Sequence, residues 1–428
     1  MKYINRLQLD EIKKWIGRKE IIAIRGPRQS GKTTLLKVLS EWLVSENNVD
    51  ENHIVYITFE DREQLDTFSQ NPKDFVARHV KDSKVHYLFI DEAQYCPYLG
   101  QKLKLIYDLF DNVKLVITGS SSLELKNQTG KFLVGRMLEF DLLPLNFYEY
   151  ISYVDEGLAK MLDPWRGKIA ALLSENKRFE IKKEKEIFNE ELLKHLNTFV
   201  AFGGYPAVVI AKEKEEKIML LKNMVNNYID KDIVSFLQIT DTIKFRKLVT
   251  ALSVLNGSRI KIEELANQIG SYFKELTKLI DVLEQTYVIR RIGSYHKNLV
   301  TELKKAQKVY FVDIGLRNAL IDNFSDVEKR SDGGVLAENF VLNELFEHSR
   351  MHFWRTTAKT EVDFIAEGKS LLPIEVKFQH FTKTQVNKSL YGFLDEYKPT
   401  KSIIITRDFW GERLFKQSKI NFVPICYI

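Results

Sequence analysis

The sequence predicts an α/β protein with several domains. A parallel sheet is expected in the first 150 residues, then a mainly helical region, then a second α/β domain. Short β-branched runs alternate with amphipathic helical segments over residues 1–150, as in parallel sheets whose strands are joined by helices. A chain of 428 residues also exceeds what one hydrophobic core normally organises, so two or three domains are expected.

The first predicted strand, residues 21–24, leads into a glycine-rich loop and then a helix. Glycines let successive backbone N–H groups point at phosphate oxygens, and the helix N-terminus adds partial positive charge. Lys32 is expected to reach the β- and γ-phosphates, and the Thr33 hydroxyl is expected to coordinate Mg²⁺. The pattern predicts that the chain binds a nucleoside triphosphate. The residues expected to contact the nucleotide are Gly26, Pro27, Arg28, Gln29, Ser30, Gly31, Lys32, Thr33 and Thr34.

Two more predicted strands, residues 54–59 and 85–90, follow the phosphate loop. The second ends in Asp91 and Glu92, which fits a Walker B signature at the carboxyl edge of the sheet, where ligands bind in open α/β folds. Asp91 is expected to hold Mg²⁺, directly or through water, and Glu92 to act as the general base for the attacking water. An acidic pair that ends a strand is also common in solvated turns, but the upstream phosphate loop favours the catalytic interpretation.

A fourth predicted strand, residues 113–118, ends in polar residues that would lie beside the Walker B acids. Thr118 or Ser120 is a candidate sensor of the γ-phosphate, and the alternative is a strand-to-helix turn in which serine is the N-cap. Arg136 is a candidate for an arginine that contacts the γ-phosphate in its own or a neighbouring subunit. A surface salt bridge is the alternative for a lone arginine.

A family resemblance rests on four short segments of this region. These segments resemble prokaryotic AAA-type ATPases of the archaeal-ATPase group. The resemblance implies ATPase activity, with ATP and Mg²⁺ as cofactors, and a C-terminal domain of uncharacterised function. The segments are Arg25-Gly26-Pro27-Arg28, Ile90-Asp91-Glu92-Ala93-Gln94, Thr118-Gly119-Ser120-Ser121 and Gly135-Arg136.

The middle of the chain is predicted to be helical. Residues 165–196 are highly charged and predict surface helices, and Gly203-Gly204 predicts an interdomain hinge. The expected boundaries are an AAA-type ATPase domain over 1–150, a helical linker or lid region over 151–240, a winged helix over 241–325 and a restriction-endonuclease-like domain over 326–428.

The winged-helix prediction rests on a helix over 244–255, a short helix that ends at Gly270, a longer helix over 272–285 and two β-runs. Such modules dock DNA, but they also act as protein-docking elements or lids, and Glu275, Asp281 and Glu284 dilute the charge of the predicted recognition helix. The residues expected to line a DNA-facing side are Lys274, Lys278, Arg290, Arg291, His296 and Lys297.

A second group of chemically active residues lies near the C-terminus. Glu338 falls in a predicted helix, Asp363 in a strand over 361–365, and Glu375 and Lys377 in a strand over 371–377. A strand places Glu375 and Lys377 on one face, and the turn between the strands folds Asp363 back near them. Asp363 and Glu375 are expected to bind Mg²⁺, Glu338 to complete the site, and Lys377 to orient or deprotonate water.

This arrangement resembles the PD-(D/E)xK restriction-endonuclease-like superfamily, which includes archaeal Holliday-junction resolvases. Val362 stands where the superfamily's motif has proline. The resemblance implies a nuclease-like fold over about the last hundred residues, with Glu338, Asp363, Glu375 and Lys377 as its catalytic set. The alternative is an amphipathic pair of strands held by cross-strand ion pairs.

Composition narrows the class of protein further. The net charge of +6 permits a nucleic-acid-binding surface without requiring one. Cys96 and Cys426 lie far apart without metal-ligand spacing, which favours a reducing, cytoplasmic setting. The N-terminus lacks the apolar core of a signal peptide, and no apolar run approaches the roughly 18 residues of a membrane span. The predicted winged helix and C-terminal domain make DNA the expected partner, no membrane is expected, and a homo-oligomer is compatible with the sequence.

Two functions from different classes fit these observations. The first is an ATP-dependent machine acting on DNA, with the C-terminal site as a Mg²⁺-dependent nuclease. The second is an ATP-switched regulatory or binding protein whose nuclease-like domain docks DNA or a protein without cleaving it. In a third interpretation the winged helix contacts the ATPase itself and the chain binds no nucleic acid.

Overall fold

The computed structural model describes residues 3–119, 132–174, 189–227, 241–296 and 306–428. The chain forms two compact units. The first comprises Met1–Leu145 together with Ile280–Val288, and the second comprises Asn146–Leu279 together with Ile289–Ile428. The predicted subdivision at residues 150, 240 and 325 stays a prediction.

The first unit contains a five-stranded sheet of order β2-β3-β4-β1-β5, in which every pair is parallel. This confirms the predicted α/β fold with a parallel sheet. The strands are β1 (Ile21–Arg25), β2 (Ile54–Thr58), β3 (His86–Asp91), β4 (Val113–Gly119) and β5 (Met137–Asp141). The helices described before residue 145 are α1 (Leu7–Lys13), α2 (Lys32–Ser45), α3 (Arg62–Gln70), α4 (Pro72–His79) and α5 (Leu99–Leu109).

Both faces of this sheet are buried, as in parallel sheets covered by helices. Ile21 and Ala23 of β1 pack into the core on one face, and Ile22 and Ile24 pack into the core on the other. Successive side chains of a strand point to opposite faces, so a continuous apolar run is needed to fill both cores. The strands are parallel, so their carboxyl ends, including Asp91, meet at one edge.

The second unit is helical at first and ends in a mixed sheet. Its first helices are α6 (Phe147–Val154), α7 (Glu156–Ser174), α8 (Asn189–Phe202), α9 (Pro206–Ile210) and α10 (Lys214–Met224). The segment predicted as a winged helix contains α11 (Thr242–Val254), α12 (Ile262–Ile269), α13 (Phe273–Gln285) and the antiparallel pair β6 (Ile289–Ile292) and β7 (Lys308–Phe311). Two helices follow, α14 (Ile314–Leu320) and α15 (Gly333–Leu345).

The C-terminal sheet has the order β12-β13-β11-β10-β9-β8. β8, β9 and β10 form an antiparallel meander, and α16 then connects β10 to its parallel neighbour β11. Phe393 of α16 packs with Trp354 and Phe422 in the core on one face of this sheet. The elements are β8 (Arg350–Arg355), β9 (Glu361–Glu367), β10 (Leu371–Lys377), α16 (Lys388–Tyr397), β11 (Lys401–Thr406), β12 (Gly411–Phe415) and β13 (Ser418–Pro424).

The Gly203-Gly204 turn is a packed element of the second unit. Gly203 has a φ of +76°, and a Cβ atom there would lie 2.3 Å from Asp313 Oδ1. The N–H of Gly204 donates to Asp313 Oδ2 at 2.8 Å, and a Cβ atom on Gly315 would lie 2.1 Å from the carbonyl oxygen of Phe202. The Gly203-Gly204 turn is therefore packed against Asp313 and Gly315 inside one unit. It is not the interdomain hinge that the sequence predicted.

Two predictions about charged residues change in the structure. Arg290 is buried, its Nη1 donates to Asn343 Oδ1 at 3.2 Å, and its guanidinium lies over the Phe346 ring, so Arg290 does not line a DNA-facing surface. The helices within residues 165–196 have buried faces, with Trp165 packed 4.5 Å from Trp410 between ring centroids. Other predicted positions lie outside the described residues: Ser120, Lys297 and the charged run over 175–188.

In the described part of the chain, no helix is both long and apolar enough to cross a membrane.

Glu344 of α15 offers a test of buried charge in this unit. Its carboxylate accepts a hydrogen bond from the N–H of Phe147 at 3.0 Å. Burial raises the pKa of Glu344 to about 8, and the nearby charge of Glu149 adds to this rise. The folded state thus keeps a proton that the unfolded chain loses near its ordinary pKa of 4.5. Stability should fall as the pH rises through this window.

Replacing Glu344 with glutamine mimics the protonated acid, so the variant should lose this pH dependence. We expect the midpoint of thermal unfolding to rise at pH 9, by about 2–4 °C for each kcal/mol gained, and to change little at pH 5. Thermal melts of wild type, Glu344→Gln and the exposed control Glu190→Gln at both pH values measure the effect. An equal shift at both pH values would contradict the assignment.

Candidate functional site

The phosphate loop joins β1 to α2 in a tight backbone path. Gly26 lies so close to the returning chain that a Cβ atom would be 2.1 Å from the carbonyl oxygen of Leu142. Gly31, the residue before α2, has a φ of +96°. Only glycine adopts these positions without strain, since other residues would clash or pay for a left-handed backbone. The two glycines of the motif are therefore required by the fold of the loop itself.

Lys32, the first residue of α2, points back into the loop. Its Nζ donates to the carbonyl oxygens of Gly26 at 3.0 Å and of Pro27 at 2.9 Å. Burial lowers the pKa of Lys32 to about 8, although the charges of Glu92 and Asp91 act in the opposite direction. An ammonium group held within the loop in this way is placed to meet phosphate oxygens.

Asp91, at the end of β3, is held by three hydroxyl groups. Thr33 Oγ1 donates to Asp91 Oδ2 at 2.7 Å, the Tyr56 hydroxyl donates to the same oxygen at 2.9 Å, and Thr118 Oγ1 donates to Oδ1. Burial raises the pKa of Tyr56, and the Asp91 charge raises it further. The three hydroxyl groups fix the orientation of the Asp91 carboxylate, which the sequence predicts to bind Mg²⁺.

The atoms at this edge suit Mg²⁺, which prefers oxygen ligands. The Thr33 hydroxyl and the Asp91 carboxylate are adjacent, as a shared hydrated ion requires. Both residues would hold the ion, which supplies charge neutralisation for the phosphates when it is bound.

Glu92 follows Asp91 with a left-handed φ of 51°. Its N–H donates to Thr118 Oγ1 at 3.0 Å, and Gln94 Nε2 donates to Glu92 Oε2. Thr118 is fully buried. Its hydroxyl links the two acids, because it accepts from the N–H of Glu92 and donates to Asp91. Its role as a sensor of the γ-phosphate stays a prediction.

Two arginines of the predicted nucleotide site have protein partners. Arg28 Nη2 donates to the Tyr95 hydroxyl at 2.9 Å. Arg136 Nε lies 3.3 Å from Asp108 Oδ1, and its guanidinium lies over the Tyr107 ring. Arg136 thus makes a surface salt bridge, and its contact with a γ-phosphate in its own or a neighbouring subunit stays a prediction. The contacts of the phosphate loop with a nucleotide stay predictions, including those of Gln29, Ser30 and Thr34.

The second site lies on β9, β10 and α15. The antiparallel register pairs Ile374 with Phe364, so Asp363 and Glu375 come next on the two strands and share one face. The N–H of Val376 donates to Asp363 Oδ2 at 2.8 Å. The hairpin therefore brings together two carboxylates that are separated by twelve residues in the sequence, as the turn between the strands predicted.

Glu375 is nearly fully buried, and its two carboxylate oxygens have different surroundings. Oε1 accepts from Lys377 Nζ at 2.7 Å and from Asn387 Nδ2 at 2.5 Å. Oε2 is buried and has no hydrogen-bond partner among the described residues. A buried carboxylate oxygen without a donor is costly unless a cation satisfies it. Glu375 and Asp363 therefore offer neighbouring carboxylates of the kind that a divalent ion prefers as ligands.

Glu338 of α15 belongs to the same group of charges. Its Oε2 accepts from the Tyr310 hydroxyl at 3.2 Å and lies 4.0 Å from Lys308 Nζ. Burial raises the pKa of Glu338, and the charge of Asp363 adds to the rise. Burial likewise raises the pKa of Asp363 and of Glu375. Several buried carboxylates with raised pKa values at one place are typical of a functional site.

Lys377 lies at the rim of this group and is partly exposed. Burial acts to lower its pKa, but the charges of Glu375 and Asp363 outweigh burial and raise it. Lys377 is therefore a cation next to the carboxylates. It is placed to hold a water molecule or an anionic group beside them.

Several residues at the two sites were not found from the sequence: Tyr56, Gln94, Lys308, Tyr310 and Asn387. Asn387 carried a recognisable signal, because an asparagine before an apolar helix is a typical N-cap, and its Oδ1 accepts from the N–H of Leu390 at 3.0 Å. The others lie in ordinary strands or turns, and only the folded chain brings them to the acids.

A group of histidine and aspartate side chains lies at the opposite edge of the first sheet. His53 Nε2 is 3.0 Å from Asp82 Oδ2, and His86 is close enough to join them around one ion. However, the N–H of Lys81 donates to His86 Nε2, and His86 Nδ1 lies 2.9 Å from the carbonyl oxygen of Lys84. Both ring nitrogens of His86 are thus engaged with the backbone, so we interpret the group as structural.

Three family models match successive parts of the chain. Residues 18–151 match an AAA domain. Residues 193–327 and 333–428 match two domains of unknown function, DUF8612 and DUF4143. The AAA match contains the phosphate loop and both Walker B acids. Together with the parallel sheet, it shows that residues 18–151 are similar to AAA-type P-loop domains, which supports nucleotide binding.

Relatives share almost the whole chain. An uncharacterized protein of Haemophilus influenzae is 25% identical over 416 residues, covering 95% of this chain and 93% of the relative. An uncharacterized protein of Methanocaldococcus jannaschii is 26% identical over 426 residues, covering 95% and 86%. The similarity to both proteins therefore extends over 95% of this chain.

Among solved structures, the Walker-type ATPase of Pyrococcus abyssi is similar with a TM-score of 0.43 and 14% identity, covering 74% of this chain and 96% of that chain. The Aeropyrum pernix ORC1 protein, solved in complex with DNA, has a TM-score of 0.29 and 14% identity, covering 74% and 91%. Similarity at this level carries no functional argument.

Proposed function

We propose that this protein is an ATPase that couples ATP binding and hydrolysis to DNA binding, and that its C-terminal carboxylate site is a Mg²⁺-dependent nuclease. The observation that carries the ATPase half is the placement of Lys32 and Thr33 beside the acids Asp91 and Glu92. The observation that carries the nuclease half is that Glu375, which lies beside Asp363 in the strand register, has a buried Oε2 without a donor among the described residues.

In the ATPase reaction the loop N–H groups and Lys32 would hold the β- and γ-phosphates. Thr33 and Asp91 would orient the metal-bound nucleotide. Glu92 would accept the proton of the attacking water, since Gln94 and the Thr118 contact hold it beside Asp91. Mutual positioning of these groups is the main source of catalysis in phosphoryl transfer.

Replacing Glu92 with glutamine should separate binding from turnover. The amide keeps the shape of the side chain but cannot accept a proton from water. We expect ATP affinity to stay within about threefold of wild type and hydrolysis to fall by about 10²–10⁴-fold. Steady-state phosphate release and binding of a fluorescent ATP analogue measure the two quantities. Normal hydrolysis by Glu92→Gln would show that another group is the base, and Glu60→Gln serves as an exposed acidic control.

In the nuclease reaction Asp363 and Glu375 would hold Mg²⁺, with Glu338 completing the site. The ion supplies Lewis-acid stabilisation of a phosphodiester when it is bound. Lys377 would orient the attacking water and lie beside the charge that develops on the phosphate. Two exposed lysines of α13, Lys274 and Lys278, support a DNA contact at the segment predicted as a winged helix.

Incubation with Mg²⁺ or Mn²⁺ and a panel of linear, branched and single-stranded DNA tests the nuclease half. Cleavage that requires the metal ion supports it. Salt-dependent DNA binding without cleavage of any substrate would favour the second function, in which the nuclease-like fold only docks DNA. Gel shifts that stay flat at low salt would exclude DNA as the partner.

A further inference from the structure

The C-terminal site has a neighbour that its own sheet does not supply. Strand β7 pairs with β6 in a separate two-stranded sheet, yet two of its side chains reach the carboxylates. We infer that Tyr310 and Lys308 are positioning residues, which hold Glu338 and Glu361 in place around Asp363. The inference rests on the proposed nuclease function and assigns β7 to that site.

Tyr310 is fully buried, so it contacts no large substrate. Its hydroxyl donates to Glu338 Oε2 at 3.2 Å, and its ring lies 5.8 Å from the Phe364 ring between centroids. Phe364 is the residue after Asp363 on β9. Tyr310 thus contacts α15, which carries Glu338, and β9, which carries Asp363.

The backbone of β7 is fastened to α15 at Phe311, the residue after Tyr310. Asn339 Oδ1 accepts from the N–H of Phe311 at 3.2 Å, and Asn339 Nδ2 donates to the carbonyl oxygen of the same residue at 2.8 Å. Asn343 Nδ2 donates to that carbonyl oxygen as well, at 3.1 Å. Because these bonds fix the residues next to Tyr310 and Glu338, the hydroxyl and the carboxylate meet in one geometry.

Lys308 adds a positive charge to the same wall. Its Nζ lies 2.6 Å from Glu361 Oε1 and 4.0 Å from Glu338 Oε2, and Arg355 Nη1 donates to the other oxygen of Glu361 at 2.6 Å. Lys308 is buried, so it acts through these acids and not on a substrate. The positive charge of Lys308 offsets the mutual repulsion of the neighbouring carboxylates.

This placement divides the site between two regions of the sequence. Glu338, Asp363, Glu375 and Lys377 fall in the segment that matches one domain of unknown function, whereas Lys308 and Tyr310 fall in the segment that matches the other. The two segments therefore build one chemical site within the second unit. Residues that orient metal ligands typically change metal affinity or activity by about 10–100-fold when they are replaced.

Substitutions in the full-length protein test the inference. Tyr310→Phe removes only the hydroxyl, and Tyr391→Phe makes the same change on α16, where the ring packs against Phe415. For Tyr310→Phe we expect kcat of DNA cleavage to fall about tenfold or more, with the KM for DNA and the melting temperature unchanged. Tyr391→Phe should keep the wild-type kcat. Lys308→Met should lose activity as well, and Lys308→Arg, which keeps the charge, should retain more.

Mn²⁺ titration by calorimetry without nucleotide separates this inference from the nuclease proposal. If wild type cleaves no DNA, the nuclease proposal fails, and a tenfold weaker Mn²⁺ affinity in Tyr310→Phe still supports the positioning role. If Tyr310→Phe keeps both the cleavage rate and the Mn²⁺ affinity of wild type, the positioning role is wrong. Absence of Mn²⁺ binding by wild type also overturns it.

Discussion

Replacement of Lys32 by alanine should abolish ATP hydrolysis and weaken nucleotide binding by at least about 100-fold. The ammonium group is the charged donor closest to the expected phosphates, and charge-assisted bonds to phosphate are among the strongest in proteins. The fold should survive, because burial already disfavours the charge of Lys32. Calorimetric titration with ATP, phosphate release and a thermal melt measure binding, turnover and stability.

The matched control for this change lies on the same helix. Lys37→Ala removes an exposed lysine of α2 one turn further along and should leave both ATP affinity and turnover near wild type. A Lys32→Ala protein that binds ATP with wild-type affinity would overturn the assignment of the loop. Loss of binding in both variants would point to a damaged helix instead.

Replacement of Asp363 by asparagine should abolish metal-dependent DNA cleavage while ATP hydrolysis persists. An asparagine oxygen can still accept the N–H of Val376, but the side chain no longer carries the charge that holds a divalent ion. Loss of several kcal/mol of metal-assisted stabilisation corresponds to a fall of about 10³-fold or more in rate. The melting temperature should stay equal or rise, because burial raises the pKa of Asp363 and makes its charge costly.

Glu375→Gln should produce the same loss of cleavage, and Glu367→Gln, at the far end of β9, should not. Glu367 contacts His352 and is partly exposed, so its charge lies outside the carboxylate group. Equal cleavage by wild type and Asp363→Asn would place the nuclease chemistry elsewhere. Loss of ATP hydrolysis in Asp363→Asn would show that the variant is damaged more widely.

The strands and the main acids could be predicted from the sequence because their signals are local. Strand β10 covers the predicted residues 371–377, β1 and β4 are one residue longer than predicted, and β3 is shifted by one residue. Buried parallel strands need continuous β-branched runs, and a hairpin turn fixes which residues face each other. Local sequence patterns are therefore enough to predict where Lys32, Asp91 and Asp363 lie in these elements.

The remaining features depend on contacts that spacing does not encode. Arg290 of β6 has the charge of a DNA-binding residue, but it is buried against Asn343 of α15 and Phe346, the residue after that helix. Two adjacent glycines predict a turn. Its packing depends on the hydrogen bond from Gly204 to Asp313, which lies 109 residues further along the chain. Tyr310 reaches Glu338 only because the asparagines of α15 fasten β7 beside it.

The contact between Gly203 and Gly315 also limits how this protein can diverge. A methyl group at either position would collide with the opposite segment of main chain or with the Asp313 carboxylate. The collision at Gly315 is with main chain, and Gly203 also needs a left-handed backbone with a φ of +76°, so single replacements at either position should be selected against. We therefore expect glycine to persist at both positions as the rest of the sequence diverges.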